Sequence, residues 1–400
     1  MLDLKAIIFP ICAAICLLAL VYKLRDFMSH RKDAALIALL AAFTCKGISF
    51  TLSTPSVSSA VDAYTGINNL GALGIHLFGG VASSAAILIA IVYWAYPADE
   101  ARRRARRRLL ITLLCAAIML TLWTIAGSGG GGRSRHYLLQ NAHRPLVATY
   151  LLFYVGIFGA GMIEIMRLCT RYGRMAGRPW LRRGLYSTAI GAAAYLVYCL
   201  NRAAVLIAVQ VGLEPLRWEI LTPIANMLGI SFLAAGLTMP SWGPKLSNLL
   251  HQVNNFVTYR RLHPLWLALY KANPNIALGP RPATAIGRFM PGDINYRLYR
   301  QIIEIQDGLL ALRPYTNMAK FSETIKLPPG RGLTGEKVQA SLQAAAIQEA
   351  LRAKESNHPL EEDLGSIKPT QYGDYAAEVA WLLRVARAYS TLPTEKRSNR

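Results

Sequence analysis

Six polar side chains stand inside otherwise apolar stretches of this chain: Lys46, His76, Asn201, Arg202, Glu219 and Asn226. An ionisable group at bilayer depth is costly to keep there and marks a functional site by default. Two cations, an imidazole and two carboxamides would suit a carboxylate or phosphate oxygen. The chemistry expected is therefore recognition of a small anionic or amphiphilic ligand, a lipid headgroup included. The competing reading has Lys46 and Arg202 reaching along their methylene stems to the interface, where Glu214 or Glu219 would meet them. Glu164, three residues before Arg167, reads as one half of a local ion pair.

Bond-making chemistry finds no matching motif. The last apolar run has no lysine between Ile220 and Leu237, so it offers no Schiff-base site for a chromophore. Neither H-E-x-x-H nor G-x-S-x-G occurs at a membrane boundary, and the carboxyl-terminal part lacks a Walker loop, a G-x-G-x-x-G and a kinase signature. The six cysteines (Cys12, Cys16, Cys45, Cys115, Cys169 and Cys199) lie in or beside apolar runs and show no disulfide or zinc spacing. His136 and His143, without a third ligand, do not make a metal site. No enzyme activity and no cofactor is expected.

The elements that must position these residues are membrane spans. Of 400 residues, 53% are hydrophobic and 16% charged, whereas a soluble domain carries about 25% charged residues. Runs able to cross the hydrocarbon, which takes roughly 20 residues, occur near Ala6 to Tyr22, Ala34 to Leu52, Leu70 to Tyr96, Leu109 to Ala126, Pro145 to Met166, Leu185 to Val209 and Ile220 to Leu237. Basic residues follow the first run rather than precede it, so it reads as an uncleaved span. The loops after spans one, three and five carry sixteen Lys and Arg, including Arg102, Arg103, Arg104, Arg106, Arg107 and Arg108, against five on the other side. This bias places the amino terminus outside and the carboxyl-terminal part in the cytosol, with all six polar residues in the outer half of the bundle.

The net charge of +22 divides into +14 over residues 1–242 and +8 over 243–400. Much of it sits in short loops, which explains it by topology and leaves nucleic acid out as a partner. Gly79, Gly80, Ser83 and Ser84 of span three, with Gly156, Gly159, Ala160 and Gly161 of span five, would let backbones approach closely, making those two helices central. The glycine-rich stretch Gly127 to Gly132 reads as an outer loop.

Residues 243–400 read as a small all-helical soluble domain. Ile294, Leu298, Ile302, Ile305, Leu309 and Leu312 form one apolar stripe, with Asp293 as N-cap. Arg297, Arg300, Glu304 and Asp307 form the charged stripe opposite, either a docking surface for a cytosolic protein or a solvated face with Arg300 and Glu304 paired. Val338 to Leu351 reads as a packed helix, and Tyr375, Val379, Leu382, Ala386 and Tyr389 mark one face of the last. The fold class is all-α, a seven-helix membrane bundle followed by this domain.

Several stretches carry a resemblance: Tyr259-Arg260-Arg261-Leu262 before Pro264-Leu265-Trp266, Tyr296-Arg297-Leu298-Tyr299-Arg300 running into Glu304-Ile305 and Asp307-Gly308, Leu310 to Tyr315, and Trp381 to Ala388. They resemble an uncharacterised actinobacterial family of multi-pass membrane proteins, labelled as transporters and bearing a C-terminal domain of unknown function. The resemblance covers nearly the whole chain in layout and is specific in the carboxyl-terminal words. It implies a bacterial plasma-membrane location and supplies no catalytic residue.

The reading is a receptor-like or regulatory protein that senses an extracytoplasmic or lipid-borne ligand and signals by contact through its helical domain. Transport of a small anionic or amphiphilic molecule is the alternative, and a membrane scaffold the second. Membrane lipids, such a ligand, a cytosolic protein and a second copy of the chain are the partner classes.

Overall fold

The structure, a computed structural model, describes residues 4–29, 33–127, 143–213, 218, 220–277, 294–316, 335–356 and 374–392. Asp293, Glu214, Glu219, His136 and Gly129 to Gly132 lie outside them. The chain divides into two units, Met1–Pro244 and Lys245–Arg400. All described regular structure is helical, and seven helices are long and apolar enough to cross a membrane.

The first unit contains α1 (Leu4–Ser29), α2 (Ala34–Ser53), a short α3 (Pro55–Thr65), a third span running through α4 (Leu70–Gly74), a π-helical turn (Ile75–Ala82) and α5 (Ser83–Ala95), then α6 (Ala98–Ile125), α7 (Pro145–Met175) and α8 (Pro179–Gln210). The seventh span opens α9 (Leu221–Ala272), within which the division between the units falls. Start signals explain several of these ends. Asp33 accepts hydrogen bonds from the Ala35 and Leu36 amides at 2.9 and 3.2 Å, and Pro55, Pro145 and Pro179 occupy first-turn positions where a missing N–H leaves no bond unmade.

The outer surface is apolar. Leu17, Leu18, Val21, Leu109, Leu110, Leu113, Leu114 and Leu200 are all exposed, which only hydrocarbon tolerates on this scale. Of the span windows, 61% of the third is buried and 11% of the fourth. The third is central, as its small residues suggest, and α6 lies at the rim. A Cβ at Gly80 would meet the Tyr154 ring, and one at Gly161 would lie 3.1 Å from the Ser84 Cβ, so these glycines do bring spans three and five together.

A second close approach joins α8 to α9. Gly184 and Gly191 on one helix meet Gly236 and Gly229 on the other, and the Ser187 hydroxyl donates to the Phe232 carbonyl at 2.8 Å. Each pair of glycines is seven residues apart, two helical turns, so the same contact recurs along the seam.

The ion pair of Glu164 differs from the sequence expectation. Its carboxylate takes Arg108 of α6 at 3.1 Å rather than Arg167, which is exposed. Arg108 thereby fastens the rim helix to α7.

The second unit contains the remainder of α9, α10 (Ile294–Ala311), α11 (Gly335–Glu355) and α12 (Tyr375–Thr391), with 3-10 turns at Pro274–Ile276 and Arg313–Tyr315. Leu262, Leu265, Trp266, Leu269, Leu298, Ile302, Ile305, Ala344, Ile347, Leu382 and Val385 form its core. The apolar stripe of α10 is thus confirmed, while the buried face of α12 is Trp381, Leu382, Val385 and Ala386, with Tyr375 exposed.

Candidate functional site

The third span loses its α-helical register where Gly79 and Gly80 stand. Side chains bond the carbonyls of the π-helical turn: Ser83 and Ser84 donate to the Gly79 and Gly80 oxygens, each at 2.6 Å. Such turns inside α-helices cluster at functional sites. Here the turn receives a cation. Lys46 of α2 is 3% exposed, and its ammonium donates to the Gly79 carbonyl at 2.6 Å.

Aromatic rings complete the surroundings of Lys46. Its Nζ lies 4.1 Å from the Tyr195 ring centre, 4.7 Å from that of Phe158 and 5.9 Å from that of Phe50. Among the described residues no carboxylate pairs with it, so ring faces and one carbonyl hold the charge. The Tyr195 hydroxyl is itself buried without a hydrogen-bond partner among the described residues.

The array continues from Phe158 toward His76. Phe158 stacks on Tyr154 at 6.1 Å, and Tyr154 lies 4.2 Å from the His76 ring. His76 Nδ1 hydrogen-bonds the Tyr150 hydroxyl at 2.8 Å. The Tyr154 and Tyr198 hydroxyls approach to 3.5 Å, and the Arg202 guanidinium sits 5.6 Å from the Tyr198 ring centre. The fold therefore brings Lys46, His76 and Arg202 against one aromatic array carried by α7 and α8.

Asn201 and Asn226 do other work. The Asn201 amide donates to the Trp218 carbonyl at 3.2 Å and to the Thr222 hydroxyl at 3.4 Å, fastening α8 to the start of the seventh span. Asn226 donates to the Thr222 carbonyl one turn before it, at 2.9 Å. Sequence reasoning missed the tyrosines, although Tyr150, Tyr154 and Phe158 recur every four residues and Tyr195 and Tyr198 are three apart, which puts each set on one helix face.

In the second unit the polar contacts concentrate on Glu304. Its carboxylate accepts from the Trp266 indole at 2.7 Å and from the Arg300 guanidinium at 2.8 Å. The Trp381 indole donates to Gln343 at 2.8 Å, and Arg384 pairs with Glu336. Trp266, Arg300, Glu304, Trp381 and Arg384 lie on the stretches that carried the resemblance. Residues 251–391 match a family of unknown function, DUF6545. No curated protein and no solved structure is found similar to the chain.

Within the DUF6545 region the charged stripe of α10 needs correction. Asp307 is exposed and Arg297 and Arg300 half-buried, but Glu304 is 5% exposed and turned into the core. It cannot belong to an open docking face, because Trp266 and Arg300 occupy its oxygens. The pairing of Arg300 with Glu304 stands. Gln301 beside it is also buried, and both polar atoms of its side chain lack a partner among the described residues.

A substitution separates these roles. Glu304→Ala would strip the acceptor from a buried indole and from a half-buried guanidinium, a loss of about 3 kcal/mol. Asp307→Asn should stay within about 0.5 kcal/mol of wild type, as exposed changes do. Amide exchange across residues 262–269 and 298–312 of the full chain reads both; undiminished protection in Glu304→Ala would contradict the structural role.

Proposed function

We propose that this multi-span membrane protein is receptor-like, with the array around Lys46 responding to a small anionic or amphiphilic ligand and the DUF6545 region meeting a cytosolic partner by contact. The observation that carries the reading is a cation buried at bilayer depth against a π-helical turn, with no carboxylate to neutralise it among the described residues. Magnitudes support a responsive site. Placing a lysine mid-membrane costs about 3 kcal/mol on insertion scales, and desolvated cation–π contact returns about 2 kcal/mol. A charge-assisted hydrogen bond adds about 2 kcal/mol, so the terms nearly cancel and a ligand oxyanion would compete well with the Gly79 carbonyl.

The same turn favours transport as the second reading, since interrupted helices line the binding sites of many transporters. The bias of basic residues toward the loops after spans one, three and five supports a cytosolic carboxyl-terminal unit, and the family resemblance points to a bacterial plasma membrane. Nothing in this mechanism requires bond chemistry or a cofactor.

The test uses the full chain in lipid nanodiscs with sodium dodecanoate, an amphiphilic carboxylate, as probe. Dodecanoate should alter amide exchange in residues 294–316 and 374–392 of wild type and leave Lys46→Met unaffected. If those helices never respond while Lys46 governs uptake of labelled dodecanoate into vesicles, transport replaces signalling.

A further inference from the structure

A groove of about 410 Å³ runs between α1 and the seventh span, within the first unit. Ile15, Ala19 and Tyr22 line one side, and Ala234, Ala235 and Trp242 the other. It exists for a local reason. At its foot Lys23 of α1 hydrogen-bonds Ser241 of α9, which clamps the two helices, while above the clamp alanines leave the space between them unfilled.

The groove opens on a lipid-facing surface, since Leu17, Leu18 and Val21 of the same helix are 59%, 71% and 58% exposed. Its walls are mostly apolar, with Ser231 and Thr238 the polar exceptions beside Tyr22, so hydrocarbon rather than water is the medium that fills it. Its foot differs in character. The Tyr22 hydroxyl on the groove wall is shielded from solvent and has no hydrogen-bond partner among the described residues. The Trp242 indole donates to Thr238 at 3.2 Å and its ring lies 5.7 Å from Trp180. Over Trp180, at 4.9 Å, sits the exposed Arg183 guanidinium, which makes no ion pair among the described residues.

Trp242 and Tyr22 on the groove wall, with Lys23 at its foot and Arg183 joined to Trp242 through Trp180, match the pattern of a headgroup boundary, and basic pockets between spans take anionic headgroups. We infer that the groove between α1 and α9 holds one acyl chain of an anionic phospholipid, its phosphate against Arg183 and an ester or phosphate oxygen accepting from Tyr22. Lys23 is already engaged by Asp26 at 3.3 Å, so Arg183 supplies the unbalanced charge. The site is separate from the aromatic array and does not depend on the function proposed above.

Competition between phosphatidylglycerol and phosphatidylcholine of identical chains, read by native mass spectrometry of the full chain, tests the assignment. Wild type should retain one phosphatidylglycerol at least five-fold in preference. Arg183→Gln should bring the two lipids near parity, and Ala235→Trp, which fills the groove, should lose both. Equal retention by wild type, or unchanged retention in Ala235→Trp, would overturn the site. Should Ala235→Trp not fold, phosphatidylglycerol brominated on its acyl chain decides: it should quench wild-type tryptophan fluorescence, with most of the quenched signal absent in Trp242→Phe. Equal quenching in that variant refutes the groove as the place of binding.

Discussion

Valine in place of Gly236 is expected to force α8 and α9 apart and to destabilise the membrane unit by about 3 kcal/mol, the upper range for overpacking a filled interior. A Cβ at residue 236 would lie 2.6 Å from the Gly184 carbonyl oxygen and 2.6 Å from the Thr188 amide nitrogen. Both are backbone atoms, so no rotamer change relieves the contact. The opposing position is reciprocal, because a Cβ at Gly184 would lie 2.6 Å from the Gly236 oxygen. Separation would also break the hydrogen bond from Ser187 to Phe232 and strain the tie between Asn201 and Thr222. Gly156 is the control. Nothing lies within 4 Å of a Cβ there, and alanine should hold or raise stability by about 0.5 kcal/mol through helix propensity. Thermal midpoints in nanodiscs distinguish them: a fall of about 6–12 °C for Gly236→Val against none for Gly156→Ala. An unmoved midpoint in Gly236→Val would show that the helices are not held at backbone distance.

The seven spans were legible because an apolar run long enough to cross hydrocarbon has few other uses. Their helical extents were not. α6 begins at Ala98, eleven residues before the apolar run at Leu109, because arginines form helix readily and Asp99 and Glu100 suit its first turn. The short α3 was also missed, though Pro55 opens it and Gly66, at φ +70°, closes it. Where contacts cross between helices, sequence proximity misled. Glu164 has Arg167 three residues away and takes Arg108, 56 residues distant. Clustered small residues drew attention to spans three and five, while isolated glycines seven apart marked the seam of six and seven. Glu304 reads as surface because carboxylates seldom lie inside unpaired. Its burial needed the Trp266 indole, 38 residues earlier, as a donor. Lys46, His76 and Arg202 were visible as unusual residues, but the rings that join them became apparent only once α7 and α8 were set side by side.

Lys46→Met should leave the bundle as stable as wild type, or more stable by about 1 kcal/mol, and abolish its response to dodecanoate. The two expectations have different causes. Methionine keeps the unbranched length of lysine, and its thioether packs well on the rings of Phe158 and Tyr195 that now hold the ammonium. The Gly79 carbonyl is not orphaned, because the Ser83 hydroxyl still donates to it at 2.6 Å. Removing a buried charge while preserving volume is often neutral or stabilising. Lys46→Ala removes the same charge and leaves a void, which should cost about 2–3 kcal/mol. Lys46→Glu sets a carboxylate against a carbonyl and the negative faces of the rings, so the bundle should not assemble. A wholly structural lysine would show the opposite pattern, with Lys46→Met losing stability nearly as Lys46→Ala does. Thermal midpoints settle the first expectation, and amide exchange over 294–316 the second. A stable Lys46→Met that still transmits the dodecanoate response would remove Lys46 from the sensing site, since the cation would then be neither binding the carboxylate nor releasing the π-helical turn.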